Sequence, residues 1–226
     1  MDVGQGQADE WYTKTQAGPV WLATAMTVFS RLWLGGAIGW QRDAALIAPV
    51  LEQVRAAAHP GHAILFAVDG FTAYGSCILK VFRDPVYTGQ RGRPRLRVWA
   101  DLHLVQVVKQ RLGRRLVSSM RRLAHGRLAQ AEAIMPTTQV GLGCINSAYI
   151  ERLNATLRTW LPALVRRTRT PSGARAQLDV ALFWTGGVYN FCHVHATLAG
   201  TPAMAADRTD HVWSIDELIR YRCQRK

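Results

Sequence analysis

Acidic side chains are scarce in this chain. Fifteen Asp and Glu stand against 28 Lys and Arg, which leaves a formal net charge of +13 at pH 7. That balance argues against a cationic partner and for a phosphate polymer, whose charge steers association with a basic surface. An anionic membrane or an acidic protein is the alternative partner. Cysteine is also sparse: Cys77, Cys144, Cys192 and Cys223 form no CxxC pair, which speaks against a closed zinc site or a disulfide framework. In "FCHVH" (191–195), Cys192, His193 and His195 crowd too closely to close a metal site unaided. No apolar run approaches the roughly 18–20 residues of a membrane helix. No basic-then-apolar leader opens the chain, and there is no internal repeat or low-complexity tract. These absences lead us to expect a cytoplasmic protein that has no membrane partner and associates with the nucleoid through DNA.

What is present suits one α/β domain. About half of the 226 residues are hydrophobic, enough for a sizeable core. "DEWYTKT" (9–15), "VWLATAMTVF" (20–29) and "RLWLGGAIG" (31–39) read as a three-stranded meander, while the lead-in "VGQGQA" is poor strand material. Residues 42–58 read as a helix with Asp43 as N-cap, which Pro49 either kinks or shortens. "HAILFAVDG" (62–70) is a buried strand ending in an acid, and 71–82 a helix. Residues 83–101 are basic and loop-like. Residues 102–110 form a strand, 114–126 either its partner or a helix, and 136–147 a loop. From Ser147, Ile150, Leu153, Leu157, Leu161 and Leu164 recur at helical spacing. A last helix covers 174–190, and an irregular tail follows. Helices interleaved with strands predict an α/β fold with a mixed sheet.

Among so many bases, a few acids stand out. On a helix, Glu151, Asn154 and Arg158 share a side away from the leucines. Glu151 is then either a surface charge paired with Arg158 or part of a site. Asp9 lies in the first strand and Asp69 at the end of the fourth, and those strands can be neighbours. Three converging carboxylates would offer hard oxygen ligands for Mg²⁺ or Mn²⁺. Because successive strand residues face opposite sides, only one of Asp9 and Glu10 can point at such ions. Arg91, Arg93, Arg95 and Arg97 are the leading phosphate contacts, with a solvated charge run as the alternative. Trp99 could stack on a base. Tyr189, Asn190 and His195 either support the acids or pack. Asp84 and Asp101 read as surface charges.

Several stretches together carry a resemblance: "GQADEWYTK" (6–14), "SRLWLGG" (30–36), "VDGFTAY" (68–74), "NSAYIERLNATLR" (146–158), "RRTR" (166–169), "YNFCHVH" (189–195) and "TPAMAADRTDHVWSIDEL" (201–218). In this order they resemble the DDE transposases of bacterial insertion sequences, within the retroviral-integrase superfamily. The resemblance implies a ribonuclease-H-like domain with a mixed five-stranded sheet flanked by helices. Its core would cover about 6–82 and 102–198, with a basic loop or hairpin insertion at 83–101 and a tail at 199–226. It implies Asp9, Asp69 and Glu151 as catalytic residues and ligands of two Mg²⁺ ions, with Mn²⁺ as a substitute. DNA contacts would come from Arg91, Arg93, Arg95, Arg97, Arg152, Asn154, Arg158, Arg166 and Arg167. The implied activity is metal-dependent DNA cleavage and strand transfer, acting on element ends and target DNA as a homo-oligomer. No N-terminal DNA-binding region is expected ahead of Asp9. An inactive remnant that binds DNA or oligomerises, and a structure-selective nuclease, are the alternatives.

Overall fold

Gln5–Thr15 form the long central strand β1, starting four residues before the expected boundary. The structure is a computed structural model that describes residues 1–89, 91–113, 115–138, 144–164 and 172–221. Glycine and glutamine are tolerated at the start of β1 because the strand is walled in on both edges and the Gln7 side chain finds partners. The Gln7 amide donates to Asn146 O at 2.6 Å and accepts from Ile150 N at 2.9 Å. β2 (Gly18–Thr27) and β3 (Trp33–Gly39) complete the antiparallel meander.

Helix α1 (Ala44–Ala57) follows, with the Asp43 side chain capping Leu46 N at 3.0 Å, and runs through Pro49 on its exposed side. β4 (Ile64–Asp69) then pairs parallel with β1, and α2 (Thr72–Val81) leads away from its end. The basic segment holds a small antiparallel hairpin, β5 (Arg83–Val86) and β6 (Arg95–Val98). β7 (Leu102–Leu112) pairs parallel with β4, and β8 (Arg115–His125) pairs antiparallel with β7, so the stretch expected to be a strand or a helix is a strand over Arg115–His125. Next come α3 (Leu128–Thr138), which overlaps the stretch expected to be loop, then α4 (Ala148–Trp160) and α5 (Arg175–Phe191). The tail is less irregular than expected, carrying α6 (Pro202–Ala205) and α7 (Ile215–Arg220).

The main sheet is mixed and six-stranded, in the order β3-β2-β1-β4-β7-β8, one strand more than the expected five. The extra strand arises because β7 turns back at Gly113 (φ 60°) and hydrogen-bonds along β8. Strand alternation assigns the two faces. Ala8, Phe66, Val68, Leu102 and Leu104 pack with α1 and α2 in one core. Trp11, Leu22, Met26 and Trp33 pack with α4 and α5 in a second. Leu65, Ala67 and Val105 meet Ala131 of α3 on that same side. The middle strands are therefore apolar on both sides, as expected of strands covered by helices.

Two contacts set α5 against the sheet. A Cβ at Gly186 would lie 2.2 Å from the Trp33 ring, so only glycine allows this approach. Asn190 accepts from Trp33 N at 2.9 Å and donates to Trp33 O at 2.8 Å, which makes it a clamp on β3 rather than a support for the acids. Trp99 is also structural. It is 9% exposed, packs edge-on against Phe82, and donates its indole N–H to Asp84 at 2.7 Å, so base stacking is ruled out by burial. Asp84 in turn pairs with Arg55 of α1, tying the hairpin to the body rather than standing as a free surface charge. Among the described residues no helix is long and apolar enough to cross a membrane.

Candidate active site

Parallel pairing of β1 with β4 sets Ala8 opposite Val68, so one residue further on Asp9 comes level with Asp69. Asp69 is opposite Val107 of β7. Ala8 and Val68 face α1 and α2, and alternation therefore turns Asp9 and Asp69 to the side of α4. Helix α4 starts at this level and brings Glu151 across from the strands. Asp9, Asp69 and Glu151 all line one cleft of about 490 Å³, together with Arg42, Lys109 and Ser147. The cleft opens at the C-terminal end of β4, a common place for ligands in open α/β sheets, while β1 and β7 continue past it on either side.

Asp9 is the most deeply buried of the three. Asn154 donates Nδ2–H to its Oδ2 at 2.9 Å, and the Thr24 hydroxyl donates to Asn154 Oδ1 at 2.7 Å. Burial, and next the nearby charges of Glu10 and Asp69, push the Asp9 carboxyl up to about 7. Glu151 contributes to the same repulsion from across the cleft. Four carboxylates, Asp9, Glu10, Asp69 and Glu151, gather here with two bases, Arg42 and Lys109, a surplus of acid that suits a divalent cation bound through oxygen.

Asp9 and Glu10 leave β1 on opposite faces, but the expectation that only one of them could reach a shared ion is not met, because their carboxylate oxygens lie within 4.8 Å of each other. Asp9 lines the cleft. Glu10 is buried on the α1–α2 side, where it accepts the Tyr74 hydroxyl at 2.6 Å and Arg42 Nε at 2.5 Å. Burial raises the Glu10 carboxyl, opposed by those two donors. Arg42 also reaches Asp69 Oδ2 at 3.1 Å, while Phe71 N–H donates to Asp69 Oδ1 at 2.8 Å. One carboxylate oxygen each from Asp9, Glu10 and Asp69 lies within 4.8 Å of the others. Glu151 stands outside that tight set. Its Oε1 accepts from the Ser147 hydroxyl at 2.9 Å and from Lys109, so its partner is Lys109 and not Arg158.

Sequence reasoning overlooked Arg42, Tyr74, Lys109 and Ser147. Neither Lys109 nor Arg42 carried a signal along the chain, since the place of Lys109, two residues beyond the position opposite Asp69, depends on the β4–β7 register.

The arginines divide. Arg91, Arg93, Arg95 and Arg97 are exposed on the β5–β6 hairpin, and Arg152 is exposed on α4. Arg158 is half-buried with its guanidinium 5.7 Å from the Trp11 ring centre. Asn154 is 1% exposed with its amide spent on Thr24 and Asp9, so the expected phosphate contact is corrected to a role in positioning. Arg166 and Arg167 lie outside the described residues. Compared with family models and with curated proteins, the chain matches none.

Proposed function

We propose that the chain is the catalytic unit of a DDE-type insertion-sequence transposase that cleaves DNA and joins its 3′ ends to target DNA with Mg²⁺ or Mn²⁺. The observation that carries this reading is the convergence of Asp9 and Asp69, level on adjacent parallel strands, with Glu151 of α4 across one cleft. The strand order β3-β2-β1-β4-β7, with β2 antiparallel to its neighbours, is compatible with a ribonuclease-H-like core. Asp9, Asp69 and Glu151 would hold two ions. Bound there, the ions supply activation of an attacking oxygen and stabilisation of a leaving one.

The chain's own residues prepare that site. Asn154 holds the Asp9 carboxylate in one orientation. Arg42 and Lys109 neutralise Asp69 and Glu151 and yield them when ions bind. The exposed hairpin arginines hold the sugar-phosphate backbone. In the first step water adds to phosphorus and the 3′ oxygen leaves with a proton. In the second that 3′-hydroxyl adds to a target phosphorus, gives up its proton and displaces a target 3′ oxygen. A homo-oligomer would bring two DNA ends to one target.

The test incubates the protein with linear duplex DNA and a supercoiled target, with Mg²⁺ or with EDTA. Joined products that require Mg²⁺ support transposition. Cutting without joining identifies a nuclease on the same scaffold, and neither product rejects the enzymatic reading. Asn154→Leu should lower the metal-dependent rate about 10–100-fold, as expected when the group orienting a metal ligand is lost. It should also cost about 1–3 kcal/mol in urea unfolding because the Thr24 hydroxyl loses its partner. An unchanged rate would remove Asn154 from the positioning role.

A further inference from the structure

We propose a second site: the pocket lined by Arg31, Tyr149, Arg152, Tyr189, His193 and His195 seats a backbone phosphate of bound DNA, apart from the acidic cleft. It rests on the reading above only in taking DNA as the ligand. Helix α4 separates the two sites. Ser147 and Glu151 line the cleft, and Asn154 continues that row to Asp9. Tyr149, Arg152 and Thr156, spaced by three and four residues, line the pocket. A strand of DNA lying across this helix meets both.

The pocket is built for an oxyanion. Arg31 takes a left-handed backbone conformation (φ 59°) that side-chain-bearing residues rarely adopt. That conformation brings its guanidinium 3.7 Å over the Tyr149 ring, with Nη1 donating to Val28 O. Among the described residues, neither Arg31 nor Arg152 has a carboxylate within ion-pair distance, and no Asp or Glu lines the pocket.

His195 Nδ1 accepts from Thr197 N–H at 3.3 Å, so in the neutral ring Nε2 carries the proton and is a donor. His193 stacks on Tyr189, with ring centres 5.9 Å apart. The cavity is about 60 Å³, room for one small oxyanion and too little for a nucleobase. Burial, and for His195 also the charge of Arg31, holds both histidines below their ordinary values, while burial lowers Arg31. A bound phosphate opposes all three shifts at once. Tyr189, His193 and His195 of the "YNFCHVH" stretch thus line this pocket and not the acidic cleft.

The experiment measures duplex binding by fluorescence anisotropy in EDTA, where no chemistry runs, across a salt series. Arg152→Ala removes an exposed side chain and leaves the core intact, and His195→Gln is a second, conservative variant. Each should weaken binding, Arg152→Ala by about tenfold or more. Arg152→Ala should also make the log–log salt slope shallower by about one. Unchanged affinity and slope in both variants overturns the proposal. If inorganic phosphate still raises the parent's melting temperature and Arg152→Ala abolishes that rise, the pocket takes free phosphate and not DNA. Absent joining with intact pocket-dependent binding would sink the transposase reading alone.

Discussion

Asp69→Asn is expected to abolish Mg²⁺-dependent cutting and joining, lowering the rate at least on the order of a thousandfold, or ~4 kcal/mol of barrier. The substitution is nearly isosteric. An amide oxygen can still accept from Phe71 N–H, so the turn from β4 into α2 keeps its hydrogen bond. What disappears is one full negative charge level with Asp9. A neutral amide is a poor ligand for a hard divalent ion, and here it replaces one of three carboxylates whose oxygens lie within 4.8 Å of one another. The variant also loses its ion pair with Arg42, but both side chains are more than a third exposed and such pairs contribute little. Urea unfolding should therefore move by less than about 1 kcal/mol, and DNA affinity in EDTA should hold. Residual joining within tenfold of the parent would show that the reaction does not depend on this carboxylate. A variant that has lost DNA binding as well would attribute the defect to the surface and not to the chemistry.

Phe66→Ala should be the most destabilising single change near the site, costing about 3–5 kcal/mol. Phe66 is fully buried in β4, three residues before Asp69, with its ring edge-on to Phe82 at 5.0 Å. Its ring also fills the space beside Gly6 of β1, where a Cβ would stand 3.1 Å away. Truncation empties a volume that neither strand can collapse into without spoiling the β1–β4 register. Against a typical total of about 5–15 kcal/mol, the loss is a large fraction. Urea unfolding monitored by tryptophan fluorescence checks it: the midpoint should fall while the m-value stays. A loss under about 1 kcal/mol would mean the core relaxes around the gap, and the pairing of Asp9 with Asp69 is held by something other than this packing.

The two substitutions act on different levels of one arrangement. Phe66 secures the register that sets two carboxylates side by side, and Asp69 is one of those carboxylates. In the first case activity falls because the fold loosens, in the second while the fold stays intact.

Much of this arrangement was readable along the chain. The leucine stripe of α4 turned Glu151 and Asn154 to a common side, and the apolar run ending at Asp69 marked a buried strand with an acid at its end. Asp43 announced the start of α1. Those signals are local, carried by spacing and capping, and local patterns survive in one dimension. The glutamine-rich opening of β1 misled because propensity describes an isolated segment, whereas Gln7 gains its partners from Asn146 and Ile150, far away in the chain. Helix α3 had no clear apolar stripe to announce it, since only a few of its residues meet the sheet.

The chain by itself determined its charge, its alternation of strand and helix, and which carboxylates were candidates. Only the tertiary structure decided that Asp9 and not Glu10 lines the cleft, that Asn154 holds a carboxylate instead of a phosphate, and that Lys109 is the partner of Glu151. It also decided that the two histidines after α5 face Arg31 and Arg152. The reason is physical: which side chains meet across a sheet depends on strand order and register, and those are set by long-range packing that no local spacing encodes.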